Sequence, residues 1–118
     1  MIKGIGVDVT EIARVAKAQT KNSHFARKVL TDAEYAVWQG MRGNRANQYL
    51  AGRFSVKESY SKAYGTGLGV IQLHDVSTLT DDAGRPFIAA GPHPGPAHVS
   101  ISHTDTLVFT EVILEDLD

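Results

Sequence analysis

Two carboxylates in unlike settings are the first candidates for chemistry in this 118-residue chain. Asp8 ends Gly4-Ile5-Gly6-Val7-Asp8, a lone acid among glycines on a short apolar run, where solubility does not explain it. Glu58 stands four residues before Lys62, a spacing that puts both on one helix face. Alone, that pair reads as a surface ion pair contributing about 0.3 kcal/mol. With Asp8 added, two carboxylates suit magnesium, which takes one or two of them, keeps several waters and fills its octahedron with phosphate oxygens. The competing reading of Asp8 is a turn or capping aspartate before Thr10. His103 closes the run Val99-Ser100-Ile101-Ser102-His103, at a strand end from which it can reach a substrate or serve as a hydrogen-bonded, partly buried imidazole. His24, His74, His93 and His98 lack the helical spacing of metal ligands. Cysteine is absent, which excludes disulfides, thiolate metal sites and a cysteine nucleophile.

The elements that must position these groups follow from periodicity. Residues 2–9 predict a strand with Ile5, Val7 and Val9 on an apolar face and Gly4, Gly6 and Asp8 on a nearly bare one, glycines being tolerated where a ligand or another backbone comes close. Thr10 is the expected cap of a helix starting at Glu11, which would align Arg14, Lys17, Lys21 and Lys28 in one basic stripe. Thr31-Asp32-Ala33-Glu34 is a capping box, so Glu34 reads as structural. A long helix from about Ala46 to Tyr64 carries Glu58 and Lys62, and Gly65 is its expected left-handed cap. The glycines of Gly65-Thr66-Gly67-Leu68-Gly69 suggest a phosphate cradle, but they follow a helix, whereas a nucleotide-triphosphate loop precedes one. After Val70 the β-prone runs 70–79, 86–90, 99–102 and 107–114 predict a sheet. The expected fold is α+β over a single domain, 1–118: a mainly antiparallel sheet with a long central helix and shorter helices packed on one face.

Bulk composition narrows the class. With 42% hydrophobic and 21% charged residues the chain is an ordinary soluble globular protein. The net charge of −1 hides a basic start (Lys3, Arg14, Lys17, Lys21, Arg27, Lys28) and an end without Lys or Arg after Arg85, so an acidic partner suits the first part. A nucleic-acid-binding role is disfavoured by a pI of about 6.5. No apolar run approaches the roughly 20 residues of a membrane span and the start carries no secretory signal, so no membrane partner and a cytoplasmic location are expected.

Taken together, Gly4-Ile5-Gly6-Val7-Asp8 and Arg53-Phe54-Ser55-Val56-Lys57-Glu58-Ser59-Tyr60-Ser61-Lys62-Ala63-Tyr64-Gly65-Thr66-Gly67 resemble the bacterial holo-(acyl-carrier-protein) synthases, the short phosphopantetheinyl transferases. Phe25, Leu30-Thr31, Glu34, Gly84-Arg85-Pro86 and Val99–Thr104 follow in the family's order, so the resemblance spans nearly the whole chain. It implies transfer of 4′-phosphopantetheine from coenzyme A to a serine of apo acyl carrier protein, with release of 3′,5′-ADP. It implies Asp8 and Glu58 as magnesium ligands, Lys62 beside the transferred phosphate and His103 in the substrate pocket, with Glu58, Lys62 and His103 as the catalytic set. Arg45, Arg53, Lys62, Gly65, Pro86, His103 and Thr104 are the implied coenzyme A contacts. Arg14 and Phe25 match the surface that docks the carrier protein, and Lys17, Lys21 and Lys28 extend it toward a partner that is acidic in this family. A homotrimer with coenzyme A in clefts between subunits is also implied. Either Glu58 or a water on the metal takes the serine proton, and the sequence does not choose between them.

Two positions depart from the family pattern: Phe109 and Thr110 stand where small residues, typically alanine, are expected, which bears on strand packing and the subunit interface. The alternative function is a non-catalytic coenzyme A or nucleotide-binding module of the same fold; retention of Asp8, Glu58 and Lys62 speaks against it.

Overall fold

The computed structural model describes all residues, Met1–Asp118. Strand β1 (Ile2–Glu11) runs into helix α1 (Ile12–Lys21), followed by α2 (Phe25–Val29), α3 (Asp32–Gln39) and the long α4 (Gly43–Tyr64). A 3₁₀ turn at Leu73–Asp75 leads to β2 (Ser77–Thr80), β3 (Pro86–Ala90), β4 (Ala97–His103) and β5 (Leu107–Glu115). The architecture is α+β and every strand pairing is antiparallel. The strands do not form one sheet: β1-β5-β4 make a three-stranded sheet and β2-β3 a separate hairpin. Of the expected run 70–79 only residues 77–79 fall in a strand, β2, because the 3₁₀ turn at Leu73–Asp75 interrupts the segment.

The sheet packs on α4 through the face that the sequence left bare. A Cβ on Gly4 would fall 2.9 Å from the Ala63 carbonyl carbon, and one on Gly6 would fall 2.7 Å from the Ala63 nitrogen. Strand and helix therefore meet backbone to backbone, which only glycine permits. The alternation on β1 is correct but its sense is inverted, since Ile5 (55%), Val7 (56%) and Val9 (53%) stay exposed on the far face with Phe109 (45%). From β5, Val108, Thr110, Val112 and Leu114 point inward.

Helix α4 is enclosed along most of its length and divides two apolar clusters. Leu50 and Ala51 pack with Ile12, Val15, Ala26, Val29 and Leu30; Val56, Tyr60 and Ala63 pack with Ile71, Val76, Val112 and Leu114. Its C-terminus is Gly65 at φ 97°, with the Gly65 N–H donating to the Ser61 and Lys62 carbonyls. The capping box forms as expected, and Glu34 does more than cap. Its fully buried carboxylate accepts from Lys57 Nζ at 2.9 Å, from Thr31 N at 2.9 Å and from Thr78 N at 2.8 Å, tying α3, α4 and β2 together. Lys57 also donates to the Val76 carbonyl, and burial pushes its ammonium below the usual lysine range.

Two helix expectations need correction. Strand β1 continues to Glu11, so Thr10 caps nothing; its hydroxyl is spent on Asp8. Helix α1 ends at Lys21, and a turn separates it from α2, so Lys28 does not share a helical stripe with Arg14, Lys17 and Lys21.

Candidate active site

Asp8 and Glu58 come from β1 and α4, the pair of elements brought together by the glycine contacts. Asp8 points toward the helix because it shares parity with Gly4 and Gly6. Its Oδ2 accepts from Thr10 Oγ1 and from Ser55 Oγ, each at 2.7 Å. Its Oδ1 meets Lys62 Nζ at 3.5 Å, and the same ammonium donates to the Val7 carbonyl at 2.9 Å. Lys62 thus pairs with Asp8, not with Glu58 as the four-residue spacing suggests. Burial pushes the Glu58 carboxyl above the ordinary glutamate range, the neighbouring Asp8 charge adds to this, and Lys62 pulls it back.

Both carboxylates line one cavity of about 290 Å³ with Thr10, Arg14, Val15, Ala18, Phe25 and Phe54. The lining therefore combines two acids, the apolar Val15, Ala18, Phe25 and Phe54, and one cation, Arg14. Lys17 and Lys21 continue on the exposed surface of α1, and Lys28 is exposed on α2.

The other expected contacts lie apart from this cavity on the same chain. Arg45, Arg53 and His103 share a shallower depression of about 190 Å³ with Met41, Gln48, Tyr49, Gly52 and Ile101. Arg53 is buried there, with Nε donating to the Thr78 carbonyl at 3.1 Å, Nη2 to Thr80 Oγ1 at 3.0 Å, and its guanidinium stacked over the Tyr49 ring. Its charge is present, but its hydrogen bonds fasten β2 to α4. Thr104 turns its hydroxyl inward to accept from Thr106 N and Leu107 N, which shapes the β4–β5 hairpin. Pro86 lies beside Arg85 in a third depression, and Gly65 lies at the far end of α4.

No group of three or more His, Asp or Glu side chains is arranged to hold a metal. Asp8 and Glu58 offer hard oxygen donors only, and their like charges oppose each other, so the donor set fits a magnesium ion that draws its remaining ligands from water and phosphate. The chain as a whole is matched in known proteins. A sequence profile described as the 4′-phosphopantetheinyl transferase superfamily matches residues 4–114. The chain belongs to that superfamily. Among similar proteins, a holo-[acyl-carrier-protein] synthase of Lacticaseibacillus casei is 60% identical over 115 residues, covering 98% of this chain and 93% of the relative. One from Latilactobacillus sakei is 55% identical and covers 98% of both. The crystal structure of a holo-(acyl-carrier-protein) synthase from Bacillus anthracis in complex with CoA (3′,5′-ADP) superposes with a TM-score of 0.92 at 38% identity, covering 99% of each chain.

Within this phosphopantetheinyl transferase fold, several groups around the candidate site were not evident from sequence. Ser55, Thr110 and Thr10 cluster behind Asp8, and Phe54 pairs with Phe25 in the cavity lining with ring centroids 6.4 Å apart. The available signal was Ser55 and Ser59 at a spacing of four on the core side of α4, where apolar residues are the rule.

Proposed function

We propose that this chain transfers 4′-phosphopantetheine from coenzyme A to a serine of apo acyl carrier protein, with Asp8 and Glu58 holding Mg²⁺. The observation that carries the reading is the meeting of these two carboxylates, from separate elements, in one cavity that Arg14 and Phe25 also line. The magnesium ion, when bound, would neutralise the pyrophosphate of coenzyme A. Lys62, tethered at Val7, adds a fixed positive charge beside Asp8 for the phosphate being transferred. Glu58, with its carboxyl raised by burial, is the base suited to take the proton as the serine Oγ attacks the β-phosphorus. The phosphorus–oxygen bond to the nucleotide then breaks and 3′,5′-ADP leaves with the bridging oxygen.

Arg14, Lys17 and Lys21 on α1, with Phe25, give an acidic carrier protein both a charge complement and an apolar anchor, and Lys28 adds charge from α2. We read Arg45, Arg53 and His103, with Pro86, Thr104 and Gly65, as coenzyme A contacts. They lie outside the cavity of Asp8 and Glu58 on one chain, which supports a cleft completed by a neighbouring copy. The uncovered Ile5, Val7, Val9 and Phe109 provide an apolar face for such a homotrimer. No helix is long and apolar enough to cross a membrane, and a cytoplasmic location fits the substrates.

The test is direct. Incubation with coenzyme A, Mg²⁺ and apo carrier protein should add the phosphopantetheine mass to the carrier. No increment with several acceptors, or undiminished transfer by the Asp8→Ala, Glu58→Ala double variant, would refute the reading.

A further inference from the structure

The helix–sheet interface behind Asp8 is unusually polar for a core. Ser55 and Ser59 of α4 are fully buried, and Thr110 of β5 is 4% exposed between them. Ser55 Oγ lies 2.7 Å from Asp8 Oδ2 and 2.8 Å from Thr110 Oγ1, which in turn lies 2.6 Å from Ser59 Oγ. Each hydroxyl has one proton, and an ionised carboxylate only accepts, so the direction of every bond is determined. Ser55 gives its proton to Asp8 and must therefore accept from Thr110. Thr110, its proton committed, must accept from Ser59. The single Ser59 proton is shared between Thr110 Oγ1 at 2.6 Å and, at the longer distance of 3.2 Å, the Thr110 carbonyl, which only accepts.

The consequence falls on the two oxygens of Asp8. Oδ2 receives Ser55 and Thr10 and has no further lone pair to offer. Oδ1 has only Lys62, at the long distance of 3.5 Å. We propose that Ser59, Thr110 and Ser55 form a one-way hydroxyl string that locks the Asp8 carboxylate, reserving Oδ1 for a divalent cation and fixing the angle at which it is presented. The three are positioning residues, since they reach the cation only through Asp8. Thr110, one of the two positions that depart from the expected small residues, is the link between helix and strand. This inference rests on Asp8 being a cation ligand, and groups that orient metal ligands from behind commonly alter affinity by about 10-fold or more when removed.

The experiment titrates Mn²⁺ into the protein with coenzyme A present and follows free Mn²⁺ by electron paramagnetic resonance, alongside steady-state transfer. Ser55→Ala should weaken Mn²⁺ binding about 10-fold. Thr110→Val, which keeps shape but ends the string, should weaken it by a smaller factor than Ser55→Ala does. Thr110→Ser should restore it. The double variant should be no weaker than Ser55→Ala alone, because both interrupt one chain. In turnover the half-saturating Mg²⁺ concentration should rise while the carrier-protein KM stays put. If the parent protein binds Mn²⁺ and Asp8→Ala abolishes binding, yet Ser55→Ala binds as the parent does, the string is refuted while the metal site stands. Fully additive losses, or equal losses in Thr110→Ser and Thr110→Val, also refute it. If Asp8→Ala binds as the parent does, the metal reading fails and takes the string with it. Thermal melts identify any variant that has not folded, and Ser55→Ala decides the question without Thr110→Val.

Discussion

Replacing Gly6 by alanine should disable the enzyme without unfolding it. The added methyl carbon would sit 2.7 Å from the Ala63 nitrogen and 3.0 Å from Lys62 Cβ, and it would overlap the Ser59 carbonyl oxygen. Ordinary carbon contacts begin at about 3.5 Å, so β1 must retreat from α4 by at least about 0.8 Å. Neither obstacle from the helix backbone can rotate away, unlike a side chain. Overpacking of this kind typically costs about 1–3 kcal/mol, or roughly 4–12 °C in Tm for a chain of this size. Activity should suffer far more, because Asp8 is two residues along the same strand and moves with it, while Glu58 stays on the helix. A displacement near 1 Å between groups that act together costs about 10²-fold in rate. Stopped-time transfer assays read by intact mass, with a melting curve on the same sample, separate the two effects. A Gly6→Ala variant with a lowered Tm and the parent's rate would refute the claim that the glycine contact sets the distance between the carboxylates. An unchanged Tm would refute the contact itself.

Four further outcomes follow. Lys57→Met should destabilise by about 3–5 kcal/mol in urea unfolding, because Glu34 is left charged and fully buried, and the Glu34→Gln, Lys57→Met double variant should recover part of that. In the metal-free protein, carboxyl NMR should show Glu58 titrating above the ordinary glutamate range, lower in Asp8→Asn and higher in Lys62→Met. Because that shift is upward, ionising Glu58 opposes folding, and its contribution to stability should be lost as pH rises from the ordinary glutamate range through the folded value. Val7→Glu on the exposed sheet face should leave a monomer by light scattering and abolish transfer; an active monomer would sink the shared-cleft reading. Reversing Arg14 and Lys21 to Glu should raise the carrier-protein KM several-fold with a weaker salt dependence, and an unchanged KM would end the docking proposal.

The long-range pattern of the chain was readable in the sequence, but the sense of its faces was not. The alternation of β1 was clear, yet the rule that apolar residues turn inward failed there, since only glycine admits a helix backbone so closely and Ile5, Val7 and Val9 were left facing out. Gly65 and the capping box at Thr31 were legible because both are local devices whose geometry is set within a few residues. Thr10 was misread for the opposite reason: it suits a cap locally, and a distant pairing of β1 with β5 carries the strand past it. Lys62 looked bound to Glu58 by spacing, but Val7 and Asp8 reach it from another element. The pairing of Ser55 with Thr110 depends on strand register, which no local pattern reports.

The tether of Lys62 bears on which substitutions the site will accept. An ammonium has three protons to give; here one goes to the Val7 carbonyl and a second faces Asp8, which leaves a third for the phosphate of the proposed reaction without breaking the other two. Arginine carries the same charge but spreads its donors in a flat fork, so it cannot serve a backbone carbonyl, a carboxylate and a phosphate from a single point. The position therefore selects for the tetrahedral valence of an amine and not merely for a positive charge.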